Sequence, residues 1–120
     1  MKGNFGVFVC ERRKNAGITL RALAAQIGIA PAYMSDIEKG RRYPPNKEKL
    51  YQIAQILELT KDETNKMFDL AGEERENTVS PDLSEYIMNN ECVRVALRLA
   101  RDTNVGDDKW QKLIDMMESQ

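Results

Sequence analysis

Residues 1–49 carry ten basic side chains against four acidic ones. Residues 50–120 carry eight basic against fifteen acidic. The formal net charge of −1 therefore hides a basic half and an acidic half. A basic half suits a polyanion, and an acidic half is repelled by one. Other chemistry is poorly supplied. The chain has no His, which removes the commonest general base and any Ser-His or Cys-His pair. Carboxylates are plentiful, but they sit on charged helix faces without forming a constellation. Cys10 and Cys92 are the only cysteines. Two distant thiols in a cytosolic chain stay reduced, and a zinc site needs about four N or S ligands. The expectation is no enzyme, no metal and no cofactor.

A chain of 120 residues suits one domain, or a small domain with an appendage. Apolar residues make up 42% and charged residues 31%, the balance of a soluble globular protein rather than a disordered or membrane one. No apolar run approaches the roughly 18 residues that span a bilayer. The apolar stretch in "MKGNFGVFVCERRK" is too short for a secretory signal. The expected location is the cytoplasm, with no membrane partner.

The chain reads as all-α, because no segment alternates apolar and polar residues long enough for a sheet. Helix 1 is expected from about Phe5 to Asn15, with Phe5, Phe8 and Val9 inward and Gly17 ending it. Thr19 is a good N-cap for helix 2, in which Leu20, Leu23, Ala24 and Ile27 share one face before Gly28. Helix 3 starts near Pro31, has Met34 and Ile37 inward, and stops at Gly40. "RRYPPN" is a stiff basic loop. Asn46 caps helix 4, with Leu50, Ile53, Ala54 and Leu57 apolar. Thr60 and Glu63 form a capping box for helix 5, which holds Met67, Phe68 and Leu70 and is expected to close at Gly72. "GEERENTVSPD" is charged and lacks apolar periodicity. The reading is a five-helix unit over 1–72, a linker over 73–79 and a helical appendage over 80–120. Within the appendage, helices are expected at Pro81 to Asn89, about Glu91 to Asp102, and Asp107 to Glu118.

A helix-turn-helix needs a small residue where its helices touch, a turn residue tolerant of positive φ, and an apolar inner face on the second helix. Ala24, Gly28, and Met34 with Ile37 meet those needs. The stretches "TLRALAAQIGIAPAYMSDIEKGRRYPP" and "KLYQIAQIL" resemble the lambda-repressor-like helix-turn-helix domain of the Cro and phage-repressor type, the XRE family. The likeness covers residues from about 5 to 72. It implies double-stranded DNA as partner, with helix 3 (about residues 31–39) in the major groove. The base-facing positions it implies are Pro31, Ala32, Tyr33 and Asp36. None of these is the Arg, Asn or Gln that reads purines by paired hydrogen bonds. Ala32 and the Tyr33 ring can pack on thymine methyl groups, and Asp36 can instead pair with Lys39 or Arg41. Specificity would then lean on apolar contacts, on Arg41 or Arg42 reaching in from the loop, and on DNA shape. Phosphate contacts fall to Thr19 with the first amides of helix 2, and to Arg21, Lys39, Arg41 and Arg42. The resemblance also pairs Glu38 with Arg13 as a structural clamp between helices 1 and 3.

Regulators of this type bind as two-fold dimers, so a homodimer is expected, through helix 5 of the first unit or through the 80–120 appendage. Trp110, Leu113, Ile114 and Met117 form an apolar stripe on the last helix that must be buried somewhere. It either packs on Tyr86, Val93 and Leu97 of the same chain or faces a second chain. Nothing marks a small-molecule effector site. Two function classes follow. One is a sequence-specific DNA-binding transcriptional regulator, a dimeric repressor, whose subtypes (phage repressor, antitoxin, restriction controller) neighbouring genes would separate. The other is a protein-interaction adaptor that keeps the fold without binding DNA. The basic rim of Lys39, Arg41 and Arg42 discriminates, because an adaptor has no need of it.

Overall fold

A computed structural model describes residues 3–76 and 78–119. Among the described residues there are eight helices and no strand: α1 (Asn4–Asn15), α2 (Leu20–Ile27), α3 (Pro31–Glu38), α4 (Lys47–Ile56), α5 (Lys61–Glu74), α6 (Pro81–Asn89), α7 (Glu91–Asp102) and α8 (Asp107–Glu118). The chain divides into two compact units, residues 1–84 and 85–120.

In the first unit α1 packs on α3 and α5, while α2 packs on α3 and α4. The apolar positions three and four apart converge on one core. Phe5, Val9, Leu23, Ala24, Ile27, Met34, Ile37, Leu50, Ile53, Met67 and Phe68 are all buried there. The helix ends follow local chemistry. Thr19 Oγ1 accepts from the Ala22 amide at 3.1 Å, and Asn46 Oδ1 accepts from the Lys49 amide at 3.0 Å. Both bonds of the Thr60–Glu63 capping box are present. Gly28 sits at φ +75, a left-handed conformation that lets the chain leave α2 and begin α3 three residues later. Pro31 occupies the first turn of α3, where its missing amide costs nothing.

The expected stop of helix 5 at Gly72 is corrected: α5 continues to Glu74. Gly72 serves close packing rather than termination. A Cβ there would lie 2.8 Å from the Thr78 carbonyl oxygen, because the chain returns across it. The two further residues end at buried Glu74, whose Oε1 accepts from the Phe5 amide at 3.4 Å, one of the amides left open at the start of α1. The segment after α5 also ties back to it. The Ser80 hydroxyl donates to Asp69 Oδ1 at 2.6 Å.

In the second unit, Leu97, Ala100, Val105 and Trp110 line one cleft. The rest of the α8 stripe stays open: Leu113, Ile114 and Met117 are 42%, 43% and 61% exposed. Tyr86, at the end of α6, is 60% exposed. A single chain does not bury this stripe.

Candidate nucleic-acid interface

The site is built on α3. Met34 and Ile37 hold its back against the core at 0% and 1% exposure. Pro31, Ala32, Tyr33 and Asp36 lie off that buried pair, at least partly accessible. Gly6 sets how closely α1 approaches the end of α3. A Cβ at Gly6 would fall 2.3 Å from the Glu38 carbonyl oxygen and 2.6 Å from that of Ile37. Arg13 then reaches Glu38 from α1. Its Nε donates to Oε2 at 2.7 Å and its Nη2 to Oε1 at 3.0 Å, while Nη1 donates to the Ile18 carbonyl at 3.0 Å. Both side chains are nearly buried, at 10% and 6% exposure. The hydrogen bond that Arg13 donates to Glu38 raises the guanidinium pKa above its ordinary value, against the opposing effect of burial.

At the solvent side two contacts stand out. The Arg42 guanidinium lies 5.4 Å from the centre of the Tyr33 ring. Arg41 Nη1 lies 3.7 Å from Asp36 Oδ1, so the Asp36 carboxylate is paired with the following loop. Thr19, Arg21 and Lys39 are exposed. The Thr19 oxygen is engaged as a helix cap, and a hydroxyl that accepts one bond can still donate another.

The sequence reading missed three residues here. Tyr33 shares a cleft with Ile29, Ala30, Pro44, Pro45, Lys49 and Arg75. Lys49 Nζ donates to the Ile27 carbonyl at 2.8 Å, which satisfies the open end of α2. Arg75 Nη2 donates to the Pro44 carbonyl at 2.8 Å, with its guanidinium 5.2 Å from the centre of the Tyr43 ring. Lys49 could have been suspected from its place one turn after the Asn46 cap. Arg75 and Tyr43 carried no local signal, since each depends on where α5 ends in space.

No group of three or more Cys, Asp or Glu side chains among the described residues is placed to hold a metal ion. No described helix is long and apolar enough to cross a membrane.

Two short helices joined by a left-handed glycine, the second with a buried back, an accessible front and a basic loop after it, are the arrangement of a helix-turn-helix DNA-binding domain. Residues 11–63 match the family model described as Helix-turn-helix, and this segment belongs to that family, of the Cro and XRE type. A domain of this family supports a DNA-binding regulator of the XRE type. The family is a regulatory one, typically without enzyme activity. The match takes in α2, α3 and α4 whole and ends in the first turn of α5. Comparison with curated proteins and with solved structures gives no match.

Proposed function

We propose that this regulator is a dimeric, sequence-specific repressor acting in the cytoplasm, which reads the major groove with α3. The observation that carries the reading is the stacking of Arg42 on Tyr33. The front of α3 holds no Arg, Asn or Gln of its own. Stacking brings a guanidinium from the loop to the first turn of α3. There Arg42 supplies the paired donors that recognise guanine O6 and N7. Tyr33 positions it and presents its own ring edge, with Ala32, to thymine methyl groups. Pro31 starts the helix and keeps the approach narrow.

Asp36 is a counter-charge rather than a base reader in this account. Its pairing with Arg41 offsets the repulsion a carboxylate meets near phosphates. Thr19, Arg21, Lys39 and Arg41 contact phosphates and fix the register of the protein on the duplex. Two copies then read half-sites about one turn of DNA apart. No cofactor is required.

The test is selection of full-length protein on a randomised duplex pool, followed by salt titration on the winning sequence. A two-fold motif whose binding weakens steeply with salt supports the reading. Retention without an enriched motif overturns it and favours the adaptor.

A further inference from the structure

Helices α6, α7 and α8 hold no buried residue among those described. The cause is the width of the apolar face of α7. At about 100° per residue, its apolar positions span roughly 200° of the helix circumference. One edge of that face is partly covered at Val93 and Ala100, and Leu97 and Ala100 share a cleft with Trp110 of α8. The other edge is open. Val95 and Leu99 are 56% and 62% exposed, with exposed Cys92 next to Leu99 on the same side of the helix.

We propose that a second copy of this chain covers this face, so that residues 85–120 are the dimerisation unit. The inference deepens the dimeric reading above and rests on it. Three observations select a second copy as the occupant. A 36-residue unit lies below the roughly 40 residues at which a core sustains itself without disulfides, metals or association. The unit holds a single cysteine, Cys92, which is free, so no disulfide within the unit supports it. The missing half of the core matches in kind what the same surface offers: Val95 and Leu99 on α7, and Leu113, Ile114 and Met117 on α8. The charges around that surface are of both signs. Helix α7 carries three arginines against Glu91 and Asp102, while α8 carries four carboxylates against Lys109 and Lys112. A two-fold arrangement can set the basic helix of each copy beside the acidic helix of the other. A uniformly acidic or basic partner would be attracted by one helix and repelled by the other.

The test uses the full chain without DNA. Sedimentation equilibrium is expected to give a dimer, and Val95→Glu with Leu99→Glu to weaken it at least a hundredfold. The melting of residues 1–84 should not change. A second measurement needs no variant. Alkylation of Cys92 should slow several-fold as the unmodified chain is concentrated, while the rate at half-buried Cys10 stays constant. A chain that remains monomeric at high micromolar concentration overturns the proposal. So does a double variant that remains dimeric, or a Cys92 rate independent of concentration. These outcomes are separate from the DNA reading. A monomeric double variant that still binds a single half-site duplex in a salt-dependent way leaves that reading standing.

Discussion

Arg13 shows how much one buried charge can govern. Its guanidinium makes three bonds that join α1, the α1–α2 turn and the end of α3. A buried ion pair adds little net stability, but removing one partner strands the other. Arg13→Ala leaves Glu38 buried without its cation, so the first unit should lose about 3–5 kcal/mol. Thermal unfolding should show this as a drop of roughly 10 °C or more. A melt within a degree or two of the parent would show that the pair does not clamp the helices. Gly6 carries a comparable weight through sterics. The atoms a Cβ would strike are backbone carbonyls, which cannot swing aside as a side chain can. Gly6→Ala should therefore cost near the top of the roughly 1–3 kcal/mol range for overpacking, read by chemical denaturation. Glu38 and Ile37 lie at the end of α3, so that variant should also shift the reading helix and weaken DNA binding.

At the scale of the element, the start of α5 joins capping to packing. Glu63 accepts from the Thr60 amide at 2.9 Å and pairs with Arg12 of α1 at 3.1 Å. The bond from the Thr60 backbone, chiefly, holds the Glu63 carboxyl below its ordinary pKa. A carboxyl lowered by folding stabilises the protein above the ordinary carboxylate range, and that contribution is lost as pH falls through the folded value. Gln at this position keeps the capping oxygen but does not titrate and cannot pair with Arg12. The melting difference between the parent and Glu63→Gln should be present at neutral pH and close in acid. A gap that persists unchanged into acid would show that the carboxylate charge is not the source. Helix α3 has its own prediction. Arg42→Ala should lose roughly 1–3 kcal/mol of discrimination at one position of the selected motif. Lys39→Ala should instead weaken all sequences about equally and reduce the salt slope by about 1. Equal losses on every duplex for both variants would leave Arg42 as one more phosphate contact.

For the whole molecule, the contrast between the two units is the dominant fact. The first has a shared core drawn from five helices, and the second has no buried side chain among those described. A core contained in one chain melts at a midpoint independent of concentration, whereas one completed by association does not. Calorimetry of the full chain should therefore show two transitions. The midpoint assigned to residues 85–120 should rise with protein concentration, and the midpoint of residues 1–84 should stay fixed. A single transition independent of concentration would contradict both the separateness of the units and the proposed dimer.

The eight helices were legible in the sequence because their signals are local. Apolar positions recur every three or four residues. Thr19, Asn46 and Thr60 announce helix starts within one turn, and Gly28 announces a turn by what it permits at its own φ. The candidate site was legible to the same depth. The resemblance to helix-turn-helix domains implied Tyr33 and Asp36 at the front of α3, and Arg41 and Arg42 follow in its loop. Which cation meets which partner could not, because Arg42 on Tyr33 and Arg41 on Asp36 depend on the path of a loop with two prolines. The stop expected at Gly72 failed for a related reason. A glycine needed for positive φ and a glycine needed for close approach look identical in sequence, and the atom it avoids belongs to Thr78, which returns from beyond the helix. Glu74 and Arg75 were likewise silent, since each completes a backbone group far away along the chain. Helix type, caps and the polarity of each face are settled by neighbours within about a turn, and the sequence alone determined them. Long-range partners, and the apolar face of α7 that one chain leaves open, were decided only by tertiary structure, where distance in space replaces distance along the chain.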